Sequence, residues 1–266
     1  MHGGHHFFAK TLGERPALVR AFLEKRAVQR ATDLVGVSRF VADQTRELLS
    51  LGDRPIDIIP NGVDVERFQP GNATRESGLI VFVGTVAEKK GIGQLIGAMH
   101  DIVQAVPDGH LEVYGRDWMS GGQSLTKTLR RNISSDLSAH IRFKGHVPND
   151  VLPQVLRRAA VAAYPSHMEA MPMTWLEGLA SGCAVVAGRP GPGPEVIDHG
   201  VTGLLCDPHD PSDIAEKIVS VLKDERMRAS LGSNARKSVL KRFALGVVVD
   251  ANLEFYERCV ARFRNA

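Results

Sequence analysis

The chain has 266 residues, enough for one large domain or two small ones, and 43% of them are hydrophobic, enough to bury a real core. Lys and Arg (33) exceed Asp and Glu (30) by only three, and no basic block stands out, which argues against a nucleic-acid partner. Cys183, Cys206 and Cys259 are widely spaced with no CxxC pair, no run approaches the roughly 20 apolar residues of a spanning helix, and the start MHGGHHFFAK lacks a signal peptide's apolar core, so a reducing cytoplasm fits best.

In chain order, short aliphatic or β-branched runs read as strands: LVGV at 34, DII at 57, LIVFVG at 79, HLEVYG at 110, IRFKG at 141, VAAYPS at 161, AVVAG at 184 and GLLCD at 203. The intervals carry helical periodicity, as in Ile92, Leu95, Ile96, Met99 and Val103, in Val151, Leu152, Val155 and Leu156, and in Ile214, Ile218, Val219 and Leu222. Strands apolar at nearly every position, alternating with helices, predict a parallel sheet covered on both faces, the doubly wound α/β class. After residue 208 only helices are expected, over Pro211–Asp224, Glu225–Phe243 and about Leu245–Arg262, packing over the sheet. The stretch VERFQPGNATRESG has linker composition, which places a boundary near residue 70. Two strands and two helices ahead of it are too few for a sheet domain with its own core. Residues 1–70 therefore read as the remnant of a larger domain plus a hinge, and 71–266 as a complete domain.

Three stretches carry candidate chemistry. In YPSHMEAMPMTWLEGLASG a strand ends at Pro165, Glu169 falls in the following loop, and a helix runs from Pro172 to a stop at Gly182, with Glu177 on its second turn. That places both acids at the carboxyl edge of the sheet, where a helix start offers free N–H groups to phosphate. The same spacing also suits a helix-capping Glu169 and a solvated Glu177. FVGTVAEKKGIGQLIGAM is a strand, a glycine-containing turn with Gly84, Thr85, Lys89 and Lys90, and a helix beginning near Gly91. It is neither a Walker motif nor GxGxxG, and its lysines could neutralise a diphosphate or merely face solvent. GRPGPGPEV is a rigid loop or a plain turn.

Taken together, the order and spacing of VGVSRF, IIPNGVDVERFQP, FVGTVAEKKG, FKGHV, YPSHMEAMPMTWLEGLASGCAVVA, GPGPEVIDHGVTGLL and FYERCV resemble the family 4 glycosyltransferases, retaining enzymes of the GT-B fold that use nucleotide-sugars. The resemblance covers roughly residues 31 to 262. It implies one complete Rossmann-like donor domain and the tail of a second, acceptor-binding one. Glu169 resembles the first acid of the family's E-x7-E motif, facing the donor sugar, and Glu177 the second, gripping the ribose hydroxyls. Lys90 resembles the diphosphate-binding lysine, with Lys89 beside it. The amides at Met171 and Met173 resemble the helix-start donors to phosphate, and Val147 the position whose backbone reads the base. Asn61, Gly62 and Asp64 match the hinge, and MHGGHH resembles a loop whose histidine, here His2, sits near the donor sugar.

The sequence departs from the family pattern in three places. Thr85 stands where an arginine is common, which shifts diphosphate binding onto Lys90 and Lys89. Met171-Pro172 replaces Phe-Gly, which removes an amide donor. Most of the amino-terminal domain has no counterpart. The resemblance implies transfer of a sugar from a nucleoside-diphosphate sugar to a glycan or lipid-linked glycan with retention, no cofactor and no metal, since neither DxD nor a ligand-spaced His/Asp cluster is present. It also implies an acceptor domain supplied either by sequence upstream in the same gene or by a separate polypeptide, and at most peripheral contact with the inner membrane face. The competing reading is a nucleotide-sugar binding module without turnover.

Overall fold

The computed structural model describes residues 17–72, 74–120 and 122–265. The amino-terminal part supplies α1 (Leu18–Arg30), β1 (Val35–Gly36), α2 (Arg39–Leu49) and β2 (Asp57–Ile58), and β1 and β2 form a two-stranded parallel sheet. Then follow β3 (Glu76–Val83), a 3-10 turn at Glu88–Lys90, α3 (Ile92–Ala105), β4 (His110–Tyr114), the hairpin β5 (Met119–Ser120) and β6 (Gln123–Ser124), α4 (Leu125–Asn132) and β7 (Ile141–Gly145). The remainder is α5 (Leu152–Arg158), β8 (Ala159–Tyr164), α6 (Met173–Ala180), β9 (Ala184–Gly188), α7 (Gly193–Val196), β10 (Leu204–Cys206), α8 (Pro211–Lys223), α9 (Glu225–Arg242) and α10 (Leu245–Arg264).

Six strands form one sheet in the order β10-β9-β8-β3-β4-β7, every pair parallel. From β10 to β4 both faces are buried, which is why those strands read as apolar runs, whereas the edge strand β7, IRFKG, is largely exposed. On β3, Leu79, Val81 and Val83 join Leu156, Trp175, Leu176, Leu179 and Val239 from α5, α6 and α9. Ile80 and Phe82 point the other way, into Ile92, Leu95, Met99 and Ile102 of α3 and Ile214, Ile218 and Val221 of α8. Asp210 caps α8 by accepting from Ser212 N, with Pro211 in the first turn, and Asp224 caps α9 by accepting from Met227 N.

The structure corrects three expectations. The buried side of α10, Val248 and Phe255, clusters with Ile59 and Val35, so this helix covers the small amino-terminal sheet instead of the large one. Pro172 is the N-cap of α6, not its first helical residue, and holds φ −80°, ψ 117°. Two helices were unanticipated, α4 and the single turn α7 inside the GPGPEV loop.

Candidate active site

From β3 the chain moves outward through β4 to β7, then returns to β8 on the other side of β3. In open parallel sheets ligands bind outside the carboxyl ends of the strands at such a reversal. The loops leaving β3 and β8 meet there. Lys90 Nζ lies 2.5 Å from Glu169 Oε1, with side chains only 22% and 13% exposed, and His167 N donates to the Lys89 carbonyl at 2.9 Å. Two residues 79 apart in sequence thus form one charged pair.

Beside this pair lies a cleft of ≈ 350 Å³ built from the ends of three strands. Val83, Gly84 and Thr85 come from β3, Tyr114, Gly115 and Arg116 from β4, and His146, Val147 and Asn149 from β7. Leu152 of α5 and Thr174 and Glu177 of α6 close it. Gly115 permits this convergence, because a Cβ there would lie 1.7 Å from the Gly84 carbonyl oxygen. Burial pushes the Glu177 carboxyl above the usual carboxylate range, and the Arg67 guanidinium partly offsets that. Glu177 is half-buried and lines the cleft, so it is no solvated face residue. Nor does Glu169 cap α6: among the described residues no side chain caps that helix.

Of the residues singled out in the sequence, Gly84, Thr85, Val147 and Glu177 line the cleft, while Lys90 and Glu169 form the neighbouring pair. Met173 opens α6 and is exposed. Met171 is buried, and its carbonyl accepts from Asn61 Nδ2 at 3.0 Å. His2 lies outside the described residues. Tyr114, Arg116, His146, Asn149 and Thr174 escaped the sequence reading, although Gly115-Arg116 after β4 repeats the strand-glycine grammar of Gly84-Thr85. Among the described residues no three His, Cys, Asp or Glu side chains converge as metal ligands, and no helix is long and apolar enough to cross a membrane.

The amino-terminal part holds the acid-bearing loop from behind. Ser38, fully buried, caps α2 and donates to the Ala170 carbonyl at 2.9 Å, one residue from the Asn61 contact. The Glu195 carboxylate, at the turn α7, accepts from the Arg39 and Phe40 amides at 2.7 and 2.8 Å and so completes the amino end of α2. Asn61→Ala should cost about 0.5–1.5 kcal/mol of stability, the net worth of one hydrogen bond. It should also loosen the loop carrying Glu169. A thermal melt and a ligand titration of that variant check both.

A family model described as Glycosyl transferases group 1 matches residues 64–238. The chain belongs to the group 1 glycosyl transferases. A second model, Glycosyltransferase Family 4, matches residues 1–67 of this group 1 chain. D-inositol 3-phosphate glycosyltransferase of Corynebacterium kroppenstedtii is 32% identical over 242 residues, covering 85% of this chain and 54% of that protein. Glycogen synthase of Mycobacterium tuberculosis is 27% identical, covering 88% and 56%. The chain thus spans little more than half the length of these curated relatives. Among solved structures, sucrose-phosphate synthase from Thermosynechococcus elongatus superposes with a TM-score of 0.81 at 23% identity, over 93% of this chain and 63% of that one. An Anabaena protein crystallised with UDP and glucose gives 0.77 at 23%, over 92% and 68%. The C-terminal domain of a group 1 glycosyl transferase from Francisella tularensis gives 0.63 at 24%, over 69% of this chain and all of that one. The fold is GT-B type, and the six-stranded unit is its Rossmann-like domain.

Proposed function

We propose that the chain is the donor-binding part of a retaining glycosyltransferase that moves a sugar from a nucleoside diphosphate to a glycan or lipid-linked glycan at the cytoplasmic face of a membrane. The observation that carries the reading is the Lys90–Glu169 pair at the strand-order reversal, set beside a cleft that holds Glu177. In this reading the nucleoside lies in the cleft, with Glu177 on the ribose hydroxyls and the Val147 backbone toward the base. The diphosphate meets Lys90 and the uncapped start of α6. The bond from the anomeric carbon to the diphosphate oxygen breaks, the acceptor hydroxyl oxygen bonds that carbon on the same face, and the hydroxyl proton passes to the leaving diphosphate. Lys90 and the helix amides stabilise the charge that develops on the leaving diphosphate, and Glu169 faces the sugar. Binding of a UDP-glucose-class ligand by a related structure supports this, since an Anabaena neighbour was crystallised with UDP-glucose.

Glu177→Gln tests the reading through opposite effects on stability and binding. A carboxyl whose pKa is raised on folding contributes stability below its unfolded pKa and loses it as pH rises through the folded one, so above the folded pKa the ionised group opposes folding. The variant should therefore melt higher than the wild type at pH 8. It should also bind nucleoside diphosphates about tenfold more weakly, through loss of a charge-assisted hydrogen bond. Unchanged affinity in calorimetry would remove Glu177 from the site.

One observation favours donor binding without turnover for these residues alone. On α1, Leu18, Val19, Phe22 and Leu23 are all exposed and Val28 is half-buried, so α1 presents an apolar face. An acceptor domain resting there, on the same or a separate polypeptide, would supply the second wall that transfer requires. The 266-residue chain should bind donor yet transfer little. Robust transfer by the purified chain alone would overturn that.

A further inference from the structure

A second cleft, of ≈ 690 Å³, opens on the far side of the Gly115-Arg116 segment and His146, which it shares with the first. Its floor is apolar: Val86, Val113 and Phe143. Its rim carries Arg116, Lys127, Arg130 and Lys144 against a single acid, Asp117. That acid is already engaged. Asp117 Oδ1 accepts from Thr126 N at 2.9 Å and from Thr126 Oγ1 at 2.7 Å at the amino end of α4, and Ser124 Oγ accepts from Lys127 N at 2.9 Å.

Lys144 is paired with Glu112 Oε1 at 3.0 Å. Among the described residues, no carboxylate lies within ion-pairing distance of Arg116, Lys127 or Arg130. Arg130 is nonetheless fixed: its guanidinium donates to the Phe143 carbonyl at 3.2 Å and lies over the Phe143 ring at 5.1 Å. Three cations that outnumber the one acid of the cleft, with Arg130 held in place, surround a concave, apolar-floored space and form a receptor for multiple negative charge.

We propose that this cleft binds a small organic polyanion, a compound bearing two or more phosphate groups. Its body rests on Val86, Val113 and Phe143, and its phosphates reach Arg116, Lys127 and Arg130. Arg116 and His146 line both clefts, so the site adjoins the proposed nucleoside cleft, but Lys127 and Arg130 line only this one and Lys90 lines neither, which keeps it apart from the donor's diphosphate position.

The test uses the full chain in a Lys90→Ala background, which disables the donor's diphosphate position, with inorganic tripolyphosphate as probe in low-salt calorimetry. Tripolyphosphate should bind. Adding Lys127→Glu with Arg130→Gln should weaken it at least tenfold, whereas Lys237→Glu, an equal exposed charge reversal on α9, should change it less than twofold. If the double change unfolds the chain, the exposed Lys127→Gln alone should still weaken the probe at least threefold. No binding at millimolar probe, or an equal loss from Lys237→Glu, would overturn the site. A parallel titration of the unmodified chain with UDP, GDP and ADP separates the two proposals. Tripolyphosphate binding without any nucleotide binding would count against the donor reading and leave this site standing.

Discussion

Lys90→Ala is expected to weaken binding of nucleoside diphosphates about tenfold to a hundredfold, the equivalent of one charge-assisted hydrogen bond of about 1.5–3 kcal/mol, while barely changing binding of the free nucleoside. The contrast follows from position. Lys90 sits at the strand-order reversal on Glu169, outside the cleft lined by Val147 and Glu177, and the proposed donor pose places it at the phosphate end of the ligand and not at the base end. The substitution also strips Glu169 of its 2.5 Å partner in a largely buried setting, which leaves a carboxylate poorly compensated. Titrating the diphosphate and the nucleoside against the same preparation reads the difference. Equal losses for both ligands would reduce Lys90 to a structural charge.

A large effect on stability is expected from Gly91→Ala. Gly91 adopts φ +68° as the N-cap of α3, and a Cβ built there would lie 1.8 Å from the Pro165 carbonyl oxygen, a backbone atom with no room to move aside. The left-handed conformation costs a non-glycine residue about 1–2 kcal/mol, and overpacking adds about 1–3 kcal/mol. The sum, about 2–5 kcal/mol, is a large part of the 5–15 kcal/mol that typically separates folded from unfolded domains. A fall in Tm of roughly 5–15 °C should follow for a domain of this size. Because Gly91 follows Lys90 and Pro165 precedes the Glu169 loop, the same change should part the charged pair and depress diphosphate affinity. A variant that melts like the wild type would show that the two loops do not meet this closely.

How much of this was legible in the sequence depended on how local each feature is. The six strands could be read directly, because burial on both faces makes runs such as LIVFV continuously apolar. Helix α4 was missed because LTKTLRRN is polar and buries no residue, and α7 because its prolines and glycine read as a loop. The acids at 169 and 177 stood out by spacing, and the helix between them by its proline and glycine. Their environments did not, since the Lys90 partner comes from the turn after another strand and the burial that shifts Glu177 is a product of tertiary packing. Ser38 and Asn61 were harder still. Each reaches more than a hundred residues along the chain to hold a backbone carbonyl, and no local pattern encodes such a contact.

The return of α10 to the small sheet means that the polypeptide passes between the two parts twice, once after β2 and once after α9. The two passages are stitched together: Val63 N donates to the Phe243 carbonyl at 2.8 Å, and Leu245 N donates to the Val63 carbonyl at 3.1 Å. Adjacent, bonded crossings act like the paired leaves of a door hinge and make sliding or twisting costly, while rotation about their line has to break the bonds of Ser38 to the Ala170 carbonyl and of the Arg39 and Phe40 amides to Glu195. Any movement of one part against the other should therefore follow a single arc. Spin labels placed on α2 and α8 should report distances that all lie along that arc, and a spread requiring two independent rotations would show that the hinge has more than one axis.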